Sequence, residues 1–412
     1  MHPFPIPNPA DYGLSPEWGF LPTETPLERL PDDYYAPWED LVADIPLLHH
    51  GLQDQIDRLP VLSTSRLRGV REWRRAYVCL AFLLHGYMWG GEPRTNIPPC
   101  ISIPLFDVCE YLQLPPIATF AAVCLWNYTP SRDEPTHHLD ALMSITSFTG
   151  TPDEEWFYLV SVAIEAHGAP VIPVMLRAIE AVRSGDDHTV LESLLFVREK
   201  VAEIGTLLDR MYERCDPAVF YHQLRPFLAG TKSMEQFGRP DGITFTFNDG
   251  RRDTELRSYR GGSNAQSSLI QFFDIVLGIE HTGGEGAFIR EMREYMPGPH
   301  RLFLQDVARV ANIRDFAQAR QHSHPDVYVA YAGCLEMLGA LRGRHLQIVA
   351  KYIISQSRKG NFQRPVQQTA GRWRQEKEKR LFLGTGGTDL VPFLKQTLQR
   401  TIEPLTNIKR SV

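Results

Sequence analysis

Apolar positions in this chain recur mainly at spacings of three and four, the period of a helix with one buried face. The pattern predicts helices over 154–167, 171–184, 188–214, 216–229, 263–280, 284–296, 300–308 and 325–356, with a last one from about Leu390. Nearer the N-terminus the clearest stretch is 70–89, where Trp73, Tyr77, Ala81, Leu84 and Met88 share a face. Pro115-Pro116 is expected to open another helix, running to about Leu125. Strand signals are sparse, and 242–247 is the best of them. The predicted architecture is therefore mostly α.

Prolines crowd residues 1–35 and exclude regular helix there. Phe4, Tyr12, Trp18, Phe20, Leu21 and Leu30 nonetheless recur within it, which predicts an arm packed along the protein rather than a free tail. The turn-rich stretch 128–153 is the expected domain boundary. This divides the chain into an arm (1–35), a small helical domain (36–140) and a large helical domain (141–412), with 357–383 expected as a mobile loop.

Composition narrows the function classes. A hydrophobic fraction of 43% and a mean hydropathy of -0.25 describe a soluble chain with a sizeable core. The net charge of -6 is spread along the sequence, and the densest charge runs, 251–260 and 372–380, mix both signs. No basic stripe of the kind nucleic acid requires is present. The six cysteines form no C-x-x-C pair and sit in apolar company, so reduced core residues are expected. The N-terminus lacks the regions of a signal peptide and no stretch was expected to span a membrane, so a cytoplasmic protein is the expectation.

The candidate chemistry centres on one helix. Cys334, Leu338, Leu341, His345, Ile348 and Tyr352 form a single stripe that is apolar except for the imidazole. A neutral histidine there needs partners for its ring nitrogens, and either a carbonyl or a metal would serve. His49-His50, His137-His138 and the pair His322/His324 lie in loop-like contexts and read as solvated surface groups. No H-E-x-x-H or G-x-S-x-G motif occurs. Ser161 shares a helix face with Phe157 and Ile164, where a bond to the carbonyl one turn back is its ordinary use. Arg225, between Tyr221 and Leu228, either snorkels to the surface or presents a fork to a carboxylate. Two glycine-rich segments, 260–268 and 384–389, precede helices without any nucleotide fingerprint. They supply N–H groups and hydroxyls able to approach a ligand closely, although Ser263 or Asn264 could equally be a helix cap.

Several ordered segments together resemble the indoleamine 2,3-dioxygenase family in a fungal form. They are Tyr158-Leu-Val-Ser161, Leu224-Arg-Pro-Phe-Leu-Ala-Gly230, Gly261-Gly-Ser-Asn-Ala-Gln-Ser-Ser268, Phe273-Asp-Ile-Val-Leu-Gly-Ile279, Met292-Arg-Glu-Tyr-Met-Pro297, Arg344-His-Leu-Gln-Ile-Val-Ala-Lys-Tyr352 and Gly384-Thr-Gly-Gly-Thr-Asp-Leu390. The resemblance runs from about Gly13 to the C-terminal helix. It implies an all-α fold in which a small N-terminal domain caps a larger domain that binds haem b. It also implies insertion of both atoms of O2 across the indole C2–C3 bond of L-tryptophan, giving N-formylkynurenine and opening the kynurenine route.

By the same resemblance, His345 matches the proximal ligand of the haem iron, and Asp274 and Arg342 match positions beside it. Ser161, Phe157, Val123 and Phe120 match pocket positions on the opposite, distal side. Phe220 matches the aromatic that packs on the indole, and Arg225 the guanidinium that takes the substrate carboxylate. Gly262, Ser263, Asn264 and Thr385 match positions around the substrate and the haem propionates. No matched distal position carries His, Asp or Glu, so no protein base is expected. The implied partners are L-tryptophan, O2 and an electron donor for ferric haem; a monomer is expected, with no nucleic acid or membrane partner. Phe120, Val123, Tyr158 and Asn264 depart from the family's common Tyr, Cys, Phe and Ala, which puts substrate preference in question. The competing readings are a relative acting on another indole, such as tryptamine or a substituted tryptophan, and a haem-binding sensor.

Overall fold

The structure, a computed structural model, describes residues 4–48, 51–92, 94–131, 137–232, 242–359, 384–385 and 389–408. Helices account for most of it: α1 (Ala36–Asp44), α2 (Gly69–Trp89), α3 (Pro99–Leu112), α4 (Pro152–Gly168), α5 (Val171–Ser184), α6 (Asp187–Asp209), α7 (Ser268–Val276), α8 (Gly283–Arg293), α9 (Gly298–Val310), α10 (Ile313–Ala319), α11 (Pro325–Val349) and α12 (Leu390–Ile408). Five short strands complete it. β1 (Asn96–Ile97) lies parallel to β4 (Ile243–Phe245), which pairs antiparallel with β5 (Glu255–Arg257). β2 (Tyr128–Pro130) and β3 (Leu142–Ser144) form an antiparallel pair within the expected boundary stretch. The fold is all-α, as the periodicity and the resemblance both imply, and the predicted strand at 242–247 is present as β4.

The longest helix, α11, packs chiefly on α6 and α12. Its apolar stripe is buried as the spacing predicts: Cys334, Leu338, Leu341, Ile348 and Tyr352 all lie inside. The N-terminal arm is docked rather than free. The Tyr12 hydroxyl donates to Asp306 at 2.7 Å, and the Phe20 ring sits 5.9 Å from that of Phe303 and 5.1 Å from His300.

Helix α4 is anchored at its start. Glu154 is fully buried and accepts from the N–H groups of Phe148 and Thr149, both at 2.7 Å, and from the Tyr158 hydroxyl at 2.9 Å. Thr151 caps the same turn. These bonds satisfy the loop's backbone donors and fix where the helix points. Tyr158 is thereby directed at Glu154, so this departure from the family pattern does not present its hydroxyl to the site.

Several expectations need correction. Pro115-Pro116 does not itself open the helix: the helical stretch starts only at Phe120 and ends, as expected, at Leu125, because backbone donors before it are taken by side chains. The Ala118 N–H donates to His85 Nε2 at 3.0 Å and that of Phe120 to Gln266 Oε1 at 2.9 Å. The segment 216–229 is broken into a short turn (Pro217–Val219), a widened turn (Phe220–Leu224) and a tight turn (Arg225–Leu228), since Pro226 cannot supply a helical N–H. The helix expected from 263 begins at Ser268, after a single tight turn (Asn264–Gln266) capped by Ser263. Helix α10 escaped the periodicity because it is only seven residues long. The run Pro152–Ser184 is long and apolar enough to cross a membrane, contrary to expectation, but 72% of its most apolar window is buried inside the protein. That burial marks α4 and α5 as core helices.

Among the histidine pairs, His138, His322 and His324 are exposed as expected. His137 instead stacks on Trp18 at 3.8 Å, and His49-His50 lie outside the described residues. All six cysteines are free and buried. Of the expected loop at 357–383, residues 357–359 close a short helix (Ser355–Lys359) and the remainder lies outside the described residues.

Candidate active site

All thirteen residues singled out from the sequence line one mostly apolar cavity, although they come from segments up to 265 positions apart. One wall is α4, whose four-residue spacing puts Phe157, Ser161 and Glu165 on the same face. A second is the widened turn Ala121–Leu125 with the residue before it, contributing Phe120, Val123 and Cys124. Phe220 and Arg225 come from the broken segment, and Gly262, Ser263 and Asn264 from the glycine-rich turn. Arg342 and His345 of α11 also line the cavity, with Asp274 of α7 beside Arg342. Thr385 closes one end, its hydroxyl donating to the Gly262 carbonyl at 2.6 Å. Gly386, Gly387 and Thr388 lie outside the described residues.

Two buried polar side chains and a close crossing of two loops hold these walls together. His85 joins two of them: one ring nitrogen donates to the Phe227 carbonyl at 2.5 Å and the other accepts from the Ala118 N–H. Burial pushes its pKa down to about 4, so the neutral ring that this geometry requires is stable at neutral pH. Gln266 ties the Phe120 N–H to the Gly261 carbonyl, at 2.9 Å on each side. Glycine is obligatory where the two loops cross: a Cβ on Gly230 would fall 2.1 Å from the Gly261 nitrogen, and one on Gly261 2.1 Å from the Leu228 carbonyl.

The aromatic wall is mutually packed. Phe220 lies 4.9 Å from Phe157 and 5.8 Å from Tyr352, centroid to centroid. Tyr352 is itself pinned by its hydroxyl, which donates to the Cys215 carbonyl at 2.7 Å. Phe220 and Tyr352 both sit on widened turns, which rotate a side chain out of the regular helical register. The Ser161 hydroxyl donates weakly, at 3.5 Å, to the Phe157 carbonyl one turn back, so its ordinary structural bond and its place on the cavity wall coexist. The Arg225 guanidinium lies 5.3 Å from the Tyr221 ring centroid, and burial lowers its pKa from the usual value while Tyr221 opposes this.

The His345 ring has no hydrogen bond among the described residues, and burial, followed by the charge of Arg342, pushes its pKa down to about 4. It therefore faces the cavity as a neutral imidazole with a free lone pair. One turn earlier on the same helix, Arg342 pairs with Asp274 at 2.5 Å. Burial opposes charge on Asp274, but Arg342 and His281 outweigh it and hold its pKa below the usual carboxylate range. Among the described residues no cluster of three or more His, Cys, Asp or Glu suited to a bare metal ion occurs. A single neutral imidazole in a mostly apolar cavity that also holds aromatic side chains fits a haem, whose macrocycle supplies the other four ligands of the iron.

Sequence reasoning missed Glu165. It lines the cavity one turn beyond Ser161, accepts from the Ser267 hydroxyl at 2.5 Å, and leaves Oε2 unpartnered. Burial pushes its pKa up to about 7. Glu165 is not among the matched distal positions, and it adds a carboxyl group to the cavity that those positions lack. The signal lay in the i, i+4 spacing from Ser161, which an apolar-stripe reading passes over.

Comparison with known proteins agrees with this geometry. The family model described as indoleamine 2,3-dioxygenase matches residues 8–404. An indoleamine 2,3-dioxygenase of Penicillium citrinum is 45% identical over 399 residues, covering 95% of this chain and 88% of the relative. One from Saccharomyces cerevisiae is 38% identical, covering 97% and 94% respectively. A 6-hydroxytryptophan 2,3-dioxygenase of Fusarium equiseti is 36% identical, covering 97% and 98%. The cavity and the whole-length match together lead to one conclusion: this chain belongs to the indoleamine 2,3-dioxygenase family, haem-dependent oxidoreductases that act on indoles.

Proposed function

We propose that the chain holds haem b through His345 and oxidises L-tryptophan to N-formylkynurenine, both atoms of O2 entering across the indole C2–C3 bond. The observation that carries this reading is one cavity that joins an unpartnered neutral imidazole to an aromatic wall and a guanidinium. When bound, the haem supplies the O2 chemistry. The residues supply position. Phe220 and Phe157 flank the indole, and Arg225 takes the carboxylate through two parallel N–H donors. Gly262, Ser263 and Thr385 close the end where the amino-acid backbone and the propionates would lie. Ser161, whose hydroxyl donates only weakly to a carbonyl, is left to orient rather than deprotonate. Asp274 and Arg342 fix the wall that carries His345.

Three further assignments belong to this reading: an electron donor for ferric haem, a monomer, and a cytoplasmic location supported by six free buried cysteines. The division into arm, small domain and large domain goes with it. A second reading, a ring-substituted indole as substrate, is favoured by Glu165 on the cavity wall and by the name of the Fusarium equiseti relative. The test is reconstitution with haem, then anaerobic reduction, O2 and either L-tryptophan or 6-hydroxytryptophan. His345→Ala should lose the Soret band while keeping its helical circular dichroism. A variant with an unchanged ferrous–CO spectrum would remove His345 from the iron.

A further inference from the structure

Behind the wall that carries His345 lies a buried group of four charged side chains, two of which have no role in the reading above. Arg342 of α11 pairs with Asp274 of α7 at 2.5 Å. The other oxygen of Asp274 faces His281 Nε2 at 2.9 Å, and His281 Nδ1 faces Glu285 of α8 at 2.7 Å. The side chains of Arg342, Asp274, His281 and Glu285 are 11%, 8%, 6% and 4% exposed, so solvent screens them little. Two further cations stand near the group, Arg293 feeling the charge of Asp274 and Arg400 that of Glu285, although each guanidinium bonds elsewhere. Arg293 of α8 donates to Gln271 at 2.7 Å, and Arg400 of α12 donates to Thr282 at 2.8 Å and pairs with Glu403. Arg342 also donates to the Thr401 hydroxyl.

The ring of His281 meets a carboxylate oxygen on both sides. Carboxylates only accept, so both ring nitrogens must donate, which only the imidazolium can do. The group then sums to zero: two cations and two anions. With a neutral residue at 281, Glu285 would leave a net negative charge in a low-dielectric region beside the helix turn that carries the proximal imidazole. Such a charge stabilises the more positive, ferric form of an iron held there.

We propose that His281 is a positioning residue for the iron side of this site: clamped between Asp274 and Glu285, it keeps the buried group neutral and so favours reduced haem. The proposal rests on His345 being the haem ligand. It differs from a packing role because charge, rather than volume, is what matters at position 281.

The test uses the full chain loaded with haem, with the ferric/ferrous midpoint potential read spectroelectrochemically at pH 8 for wild type, His281→Gln, Glu285→Gln and the double variant. His281→Gln should lower the potential, Glu285→Gln should not, and the double variant, again neutral, should return toward wild type. A His281→Gln variant with the wild-type potential would overturn the proposal, as would a double variant as low as that single one. Should His281→Gln fail to fold, a double variant that folds with the wild-type potential supports charge compensation, and one that also fails assigns His281 to packing. A wild-type chain that takes up no haem defeats the reading of the site as well. Uptake with a potential indifferent to His281 defeats this inference alone.

Discussion

Two residues carry the sharpest consequences at the smallest scale. Arg225 is argued to grip a carboxylate with a planar fork, a geometry that the ammonium of lysine cannot copy. Arg225→Lys should therefore lower kcat/KM for L-tryptophan by roughly 10- to 100-fold, the scale of one charged hydrogen bond. Turnover of tryptamine, which has no carboxylate, should change little; steady-state kinetics on the two substrates separate these outcomes. Glu165 makes a prediction in pH. Its folded pKa of about 7 stands above the ordinary 4.5, so the folded state holds a proton that the unfolded chain has already lost between those values. Its contribution to stability is thus intact below pH 4.5, falls as pH rises toward 7, and levels off above. Glu165→Gln should remove that loss, making the apo-chain more stable than wild type at pH 8 by about 3 kcal/mol, with the gain vanishing near pH 4. Urea unfolding at the two pH values measures it.

Among the elements, the site depends on how α4, the broken segment 217–228 and α11 are aimed. Glu154 aims α4 by accepting from two loop N–H groups and the Tyr158 hydroxyl. Glu154→Ala strands these buried donors and should cost about 3 kcal/mol or more of apo-chain stability by denaturant unfolding. A loss below 1 kcal/mol would mean that the loop finds other acceptors. The sequence was most legible where period alone decides the outcome: α5 starts and ends where its apolar spacing does, and the stripe through His345 is buried as written. It was least legible where side chains capture backbone donors. His85 and Gln266 capture the N–H groups of Ala118 and Phe120 from positions at least 33 residues away, so that the helical stretch starts only at Phe120. No local propensity encodes that competition.

For the molecule as a whole, the family resemblance singled out thirteen candidate residues, eight of them inside its ordered segments, and the fold brings all thirteen to one cavity. Residue chemistry alone left choices open, as between carbonyl and metal for His345, and there the resemblance favours the metal. It did not reach Glu165, Glu285 or His281, which matter only through three-dimensional contact.

The central claim, that this cavity joins O2 to tryptophan at haem held by His345, is tested most directly by one turnover. The haem-loaded, reduced chain would be mixed with L-tryptophan and 18O2, and the product weighed by mass spectrometry. Unlabelled L-tryptophan should yield N-formylkynurenine carrying two 18O atoms, and the His345→Ala chain should yield none. A haem-loaded chain that leaves tryptophan unchanged, or gives a product with only one labelled oxygen, would contradict the account.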